Sequence, residues 1–261
     1  MKIKYPLVLL VWLGFVANAN AQFGEKLLGK LGVTKAETKP SYTFTGNVVQ
    51  QLTSTSNKGK QTILETKTYY SANDNVFGTK IISASDPDMK KALEMVDLTL
   101  LDLEQSKAYS FMNNNGNKMV VAVGFGDDKN GAKAEADVSK LTVTKTDQTK
   151  SIMGFECEGY SMRFDKEKTD MIIWVSKKPI PELTELNKNL AKIAKAALKG
   201  DKSNTFAYNS HPELLKLAKD GRATLGFSSV SENGDKSEMI TREINGTEDF
   251  TFNASQYKSP F

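Results

Sequence analysis

From Tyr42 onward the chain alternates apolar and polar residues with a period of two, the signature of strands with one buried face. Tyr42, Phe44, Val48 and Leu52 share one side, with Thr43 and Thr45 opposite. Asn57-Lys58-Gly59-Lys60 reads as a turn, and a Thr- and Tyr-rich strand returns from Ile63 to Ser71. Further strands are predicted at Val76 to Ser83, Leu98 to Leu100, Lys107 to Met112 and Lys118 to Phe125. After a polar loop at 127–137, more follow at Val138 to Lys145, Ser151 to Gly154, Glu156 to Asp165 and Asp170 to Ser176. The last three are expected at Arg222 to Val230, Ser237 to Ile244 and Phe250 to Phe252.

Helical periodicity is rarer. Glu182 to Lys199 places Leu183, Leu186, Leu190, Ile193 and Ala197 on one stripe, with Gly200 as terminator. A short helix is expected from Asp86 and Pro87 toward Met95, with Asp86 as its cap. Another spans His211 to Lys219, where Ser210 or Asn209 can cap and Pro212 falls in the first turn. The predicted fold class is mainly β: a curved antiparallel sheet, a half-barrel, packed over one long helix and one or two short ones. Curving an open sheet around the long helix buries the apolar side of both.

The chain begins differently. Lys2 and Lys4 precede an apolar run from Tyr5 to Val16, and Ala19-Asn20-Ala21 is a small-x-small cleavage site. Residues 1–21 therefore read as an export signal removed on secretion. No Cys follows that site, so a lipoprotein anchor is not expected, and a periplasmic or secreted location is. Residues 22–40 form an N-terminal segment and linker, and 41–261 a single β-rich domain with its helix at 182–199. No later run of about 18 apolar residues predicts a membrane span in the mature chain.

Composition narrows the chemistry. The net charge of +4 falls to +2 once Lys2 and Lys4 leave with the leader, a poor match for nucleic acid. One Cys and one His leave no intrachain disulfide, Cys-based zinc site or multi-His metal centre, and no cofactor is predicted. Cys157 reads as a buried apolar side chain or as a reactive thiol in an oxidising compartment. His211 lacks the Gly-x-Ser-x-Gly context that presents a nucleophile. Gly126 to Asp137 matches a calcium loop imperfectly, because its twelfth position is Asp rather than Glu. Nothing in the sequence singles out a catalytic carboxylate pair, and no enzyme activity is expected.

Three segments carry a family resemblance: Gly116-Asn117-Lys118-Met119, Thr149-Lys150-Ser151-Ile152-Met153-Gly154-Phe155-Glu156-Cys157-Glu158-Gly159-Tyr160, and Met171-Ile172-Ile173-Trp174-Val175-Ser176. Together they resemble an exported bacterial family known as domain of unknown function 4412, over roughly residues 40–200. That family is more remotely similar to periplasmic lipoprotein carriers of the LolA/LolB type. The resemblance implies a LolA-like curved sheet over helices, with an apolar cavity for acyl chains. It transfers no active-site residue, and Arg163, Arg222 and Arg242 match no functional position of those carriers. Within the second segment, Gly154 interrupts a strand pattern and suggests a bulge or a close backbone approach.

Two groups of residues are candidate binding positions. Phe44, Val48, Phe77, Phe111, Met119, Phe155, Tyr160, Met171 and Trp174 lie in or beside strands, as core packing or as the lining of an adaptable apolar cavity. Lys188, Lys192, Lys195 and Lys199 share one face of the long helix, as a solvated surface or a site docking an anionic membrane or head group. The expected function is exported, non-enzymatic binding of a lipid-like or other apolar ligand in the periplasm. The alternative is an envelope module that binds a protein and no small molecule.

Overall fold

The structure, a computed structural model, describes residues 33–71, 75–124, 141–164, 169–184, 186–187 and 211–260. The chain forms β1 (Val33–Thr34), β2 (Ser41–Phe44), β3 (Gly46–Thr55), β4 (Gln61–Tyr70), β5 (Val76–Ala84), α1 (Pro87–Glu94), β6 (Val96–Asp102), β7 (Lys107–Asn114) and β8 (Asn117–Gly124). There follow β9 (Leu141–Ile152), β10 (Phe155–Phe164), β11 (Thr169–Ser176), a 3-10 turn at Pro181–Leu183, α2 (Pro212–Lys219), β12 (Thr224–Ser231), β13 (Lys236–Asn245) and β14 (Phe250–Asn253).

Twelve strands make one sheet in the order β1-β8-β7-β6-β5-β4-β3-β13-β12-β11-β10-β9, while β2 and β14 pair as a separate layer. Two antiparallel meanders build the sheet. One runs outward from β3 to β8, and the other begins at the far edge with β9 and returns through β12 to β13. The two join where β13 pairs with β3, from Lys236 opposite Thr55 to Asn245 opposite Asn47. The sheet is mainly antiparallel, curved and not closed, as the alternation predicts.

Register shifts interrupt five of its ladders, at Glu65/Thr66, Val96/Leu98, Glu158/Tyr160, Trp174/Val175 and Thr241/Glu243. An extra residue on one strand bends it and raises its twist, so these bulges supply the curvature.

Apolar residues gather in three clusters. Successive tyrosines on β4 feed two of them: Tyr69 packs with Phe44, Leu98, Leu100, Tyr109 and Phe111, and Tyr70 with Val48, Phe77, Trp174, Leu183 and Leu225. That split is the strand's own alternation, one side chain to each face. The β2–β14 layer covers the first cluster, where Phe250 stacks on Tyr69 at 4.4 Å between ring centroids. Tyr257 completes that cover, and its hydroxyl donates to Asp97 Oδ2 at 2.5 Å. The third cluster joins Tyr160, Met162, Ile173 and Val175 to Leu217 of α2.

Several expectations change. The strand expected across Tyr42 to Leu52 is two strands, because the chain passes from the small layer into the main sheet at Thr45, whose N–H donates to Tyr70 O. Val33 and Thr34, read as linker, pair with Val123 and Ala122 at the sheet edge. The described part of the strand expected at Val138 to Lys145, from Leu141, continues into the one expected at Ser151 to Gly154 as a single strand, β9, while residues 138–140 lie outside the described residues. Gly154 marks no bulge. With Met153 it forms the two-residue turn between paired Ile152 and Phe155, both at positive φ (53° and 81°).

The close approach falls instead at Gly159. The register Glu158–Thr149 and Tyr160–Lys145 leaves Thr146, Asp147 and Gln148 opposite Gly159 alone. A Cβ there would lie 3.1 Å from the Trp174 ring.

Asp86 caps α1 as expected, accepting from Met89 N at 3.2 Å. For α2 the cap is His211 itself, whose Nδ1 accepts from Glu213 N at 3.3 Å with Pro212 in the first turn. The expected long helix starts in the 3-10 turn, and its Leu183 and Leu186 are buried. Its remainder, with Lys188, Lys192, Lys195 and Lys199, lies outside the described residues, as do the export signal and the loop at 127–137.

At the Trp174/Val175 bulge, Gly226 lies so close to β13 that a Cβ would sit 2.3 Å from Met239 O. Gly226→Ala is expected to lower stability by about 2–3 kcal/mol, since a fixed backbone must shift. Gly124→Ala, where nothing lies within 4 Å, should change it by under about 0.5 kcal/mol. Urea denaturation of both variants checks the contrast.

Candidate functional site

The end of the sheet formed by β9 to β13 rolls up. The pairing puts Lys150, Cys157, Gly159, Trp174, Gly226 and Ile240 on one face, with Ile172, Ser228 and Glu238 two residues along. Lys150 on β9 and Glu238 on β13 belong to strands four places apart. In a flat sheet, four spacings of about 4.8 Å would hold them roughly 19 Å apart. Their side chains instead form an ion pair of 2.5 Å. Cα atoms of β9 and β13 come within 8 Å of one another, yet no ladder joins them. This face is therefore the inside of a nearly closed roll, with an unpaired seam that the ion pair crosses.

Trp174 forms the floor beside the seam. Its Nε1–H donates to Ser228 Oγ at 3.1 Å, and Lys150 Nζ stands 5.6 Å from its ring centroid. Ser228 Oγ in turn donates to Glu238 Oε1 at 3.4 Å. Around the indole, Phe155, Ile172 and Ile240 are only partly buried. The removal of any side chain at Gly159 makes room for the ring. Cys157 is fully buried on this face as a free thiol, and burial pushes its pKa up, against the pull of a backbone hydrogen bond and the charges of Arg222 and Lys150. A buried neutral thiol behaves as a small apolar group.

On the outer face Glu158 ties the roll together. It accepts from Lys145 Nζ and Arg222 Nη2, both at 2.7 Å, and Arg222 Nε donates to Ser176 O at 2.6 Å. The Lys145 hydrogen bond holds the Glu158 carboxyl below the usual range, with Arg222 adding to it and burial opposing. His211 is pushed down by burial, with Glu213 opposing, and its Nδ1 is engaged in capping.

The sequence-derived ligand positions are distributed over the fold. Val48, Phe77, Phe155 and Trp174 join the second cluster, Phe44 and Phe111 the first, and Tyr160 and Met171 the third. Met119 is partly buried on β8, opposite Met112, and bridges to Lys258. Of the nine, Phe155 and Trp174 lie on the inner face of the roll. Lys150, Ser228, Glu238 and the Glu158–Arg222 pair were missed by sequence reasoning. Alternation alone could have put Lys150 beside Ile152 and Trp174 beside Ile172, and only the register joins them.

Among the described residues no helix is long and apolar enough to cross a membrane. No curated protein matches the chain. Among solved structures, two crystal forms of PNGF-II are similar at 13% and 11% identity, covering 82% and 76% of this chain, with TM-scores of 0.35 and 0.32. This chain spans only 30% and 27% of the PNGF-II chains. A LolA superfamily protein from Nitrosomonas europaea is 8% identical, covering 77% of this chain and 86% of its own, with a TM-score of 0.30.

The lowered Glu158 pKa sets an acid dependence. A carboxyl depressed on folding stabilises above its unfolded pKa, and that contribution is lost as pH falls through the folded value. Glu158→Gln should be roughly 1–3 kcal/mol less stable at pH 7 and lose less stability than the parent below about pH 4.5. Denaturant titrations from pH 7 to pH 3 measure both effects.

The family profile described as Domain of unknown function (DUF4412) matches residues 44–205, from the entry into the main sheet past the Trp174 strand, and the chain belongs to that family.

Proposed function

We propose that the chain is an exported, non-enzymatic binding protein of the bacterial periplasm. Residues 1–21 serve as its removable leader, and residues 41–261 act as one β-rich unit. Its ligand is lipid-like or otherwise apolar and lies against the inner face of the β9–β13 roll. The observation that carries this reading is the seam. An apolar floor of Trp174, Phe155, Ile172 and Ile240 adjoins a seam between β9 and β13 that, among the described residues, the Lys150–Glu238 pair crosses and no backbone ladder closes. Breaking an exposed ion pair costs little, whereas parting a ladder loses several backbone hydrogen bonds. An apolar chain entering there covers the surface that Phe155, Ile172 and Ile240 still expose beside the buried indole, at about 25 cal/mol per Å² covered.

Native mass spectrometry of protein purified without detergent tests the proposal. The expected spectrum carries a bound species of lipid-like mass that organic extraction removes, and the extracted protein takes up a fatty-acid probe saturably. Trp174→Ala should weaken that uptake at least tenfold. A clean apo mass with no saturable uptake would contradict the proposal.

A further inference from the structure

We infer that the Glu238 carboxylate stands in for the anionic head group of the ligand, and that Lys150 and Ser228 are the head-group site. This rests on the apolar reading of the roll and names the class of ligand: single-chain amphiphiles ending in a carboxylate or similar anion. Two donors converge on the place Glu238 now occupies, Lys150 Nζ at 2.5 Å and Ser228 Oγ at 3.4 Å. Both are fixed by contacts that do not involve Glu238. Lys150 lies over the Trp174 ring, and Ser228 Oγ accepts from the indole N–H.

The two partners of the ion pair are not equally held. The Glu238 side chain is 46% exposed and that of Lys150 31%. Besides Lys150, the one other side-chain contact of Glu238 among the described residues is the long one from Ser228. Turning Glu238 out into water therefore loses little, while turning Lys150 out would also remove its contact with the indole. The residue that yields is the acid, and what it leaves behind is a cation and a hydroxyl at the seam. An incoming carboxylate takes over both hydrogen bonds. Its chain then runs from the Ile172–Ser228–Glu238 row across Trp174 and Ile240 toward Phe155. A cationic head would meet Lys150 at the same spot and be repelled.

Tryptophan fluorescence reads the site directly, because the chain holds only Trp12 and Trp174. The full chain carrying Trp12→Phe is titrated below micellar concentrations with dodecanoate, dodecanol and dodecyltrimethylammonium at pH 8, where the carboxylate is ionised. Dodecanoate is expected to bind at least tenfold more tightly than either other probe. Lys150→Gln should weaken dodecanoate at least tenfold and leave dodecanol within twofold. Glu238→Gln, which removes the competing charge, should tighten dodecanoate threefold or more, and it keeps the test decisive if the Lys150 variant folds poorly. Saturable binding of all three probes with equal affinity, tighter binding of the cation, or no tightening in Glu238→Gln overturns the head-group site while leaving the apolar reading standing. Failure of every probe to bind overturns both.

Discussion

A lysine and a glutamate from strands four places apart can meet only if the sheet between them rolls up, and the β9–β13 end depends on that constraint. The roll is produced by local backbone irregularity. Three residues of β9 face Gly159 alone, and at the next bulge Gly226 presses against β13. Each lets the ladder bend where a regular strand would stay extended. Without those bends Trp174 would lie on an open sheet face, and Lys150 would have no partner across it.

Two devices keep the rolled end in shape, one on each face. Outside, Glu158 joins Lys145 of β9 to Arg222, and Arg222 is fastened to the Ser176 carbonyl at the end of β11. Inside, Cys157 and Trp174 fill the space next to the buried Leu183 and Leu186. The opposite end of the sheet is treated differently. There the β2–β14 layer and Tyr257 lie over the strands, and both ends of the described chain reinforce one edge. Val33 and Thr34 pair with β8, and Lys258 bonds to it through Lys118 O and Val120 N. One half of the fold is thus packed shut with aromatic rings, and the other is left with a seam.

Most strands were legible in the sequence, because a half-buried antiparallel strand leaves its period of two in the residues themselves. Failures occurred where tertiary contact overrides that period. Thr45 continues the alternation of its neighbours, but the chain leaves one layer for another there. Gly154 and Gly159 lie in the same short segment, and nothing local tells the turn glycine from the one beneath an indole. Ser210 and Asn209 are good capping residues, yet His211 takes the position because Pro212 follows it directly in the first turn. The site was harder still. Lys150 and Glu238 are 88 residues apart, and no spacing rule links them. Glu238 and Ser228 also fall beyond residue 205, where the family profile ends, whereas Lys150 and Trp174 lie within it.

The most direct test of the rolled sheet is zero-length carbodiimide cross-linking followed by peptide mass spectrometry. That reagent joins an amine to a carboxylate only when the two already touch. The account predicts an amide between Lys150 and Glu238, formed alongside the Lys67–Glu248 link that serves as an internal control at 3.1 Å. Recovery of the control link with no Lys150–Glu238 product would mean that β9 does not return to β13, and would contradict the seam on which the functional reading stands.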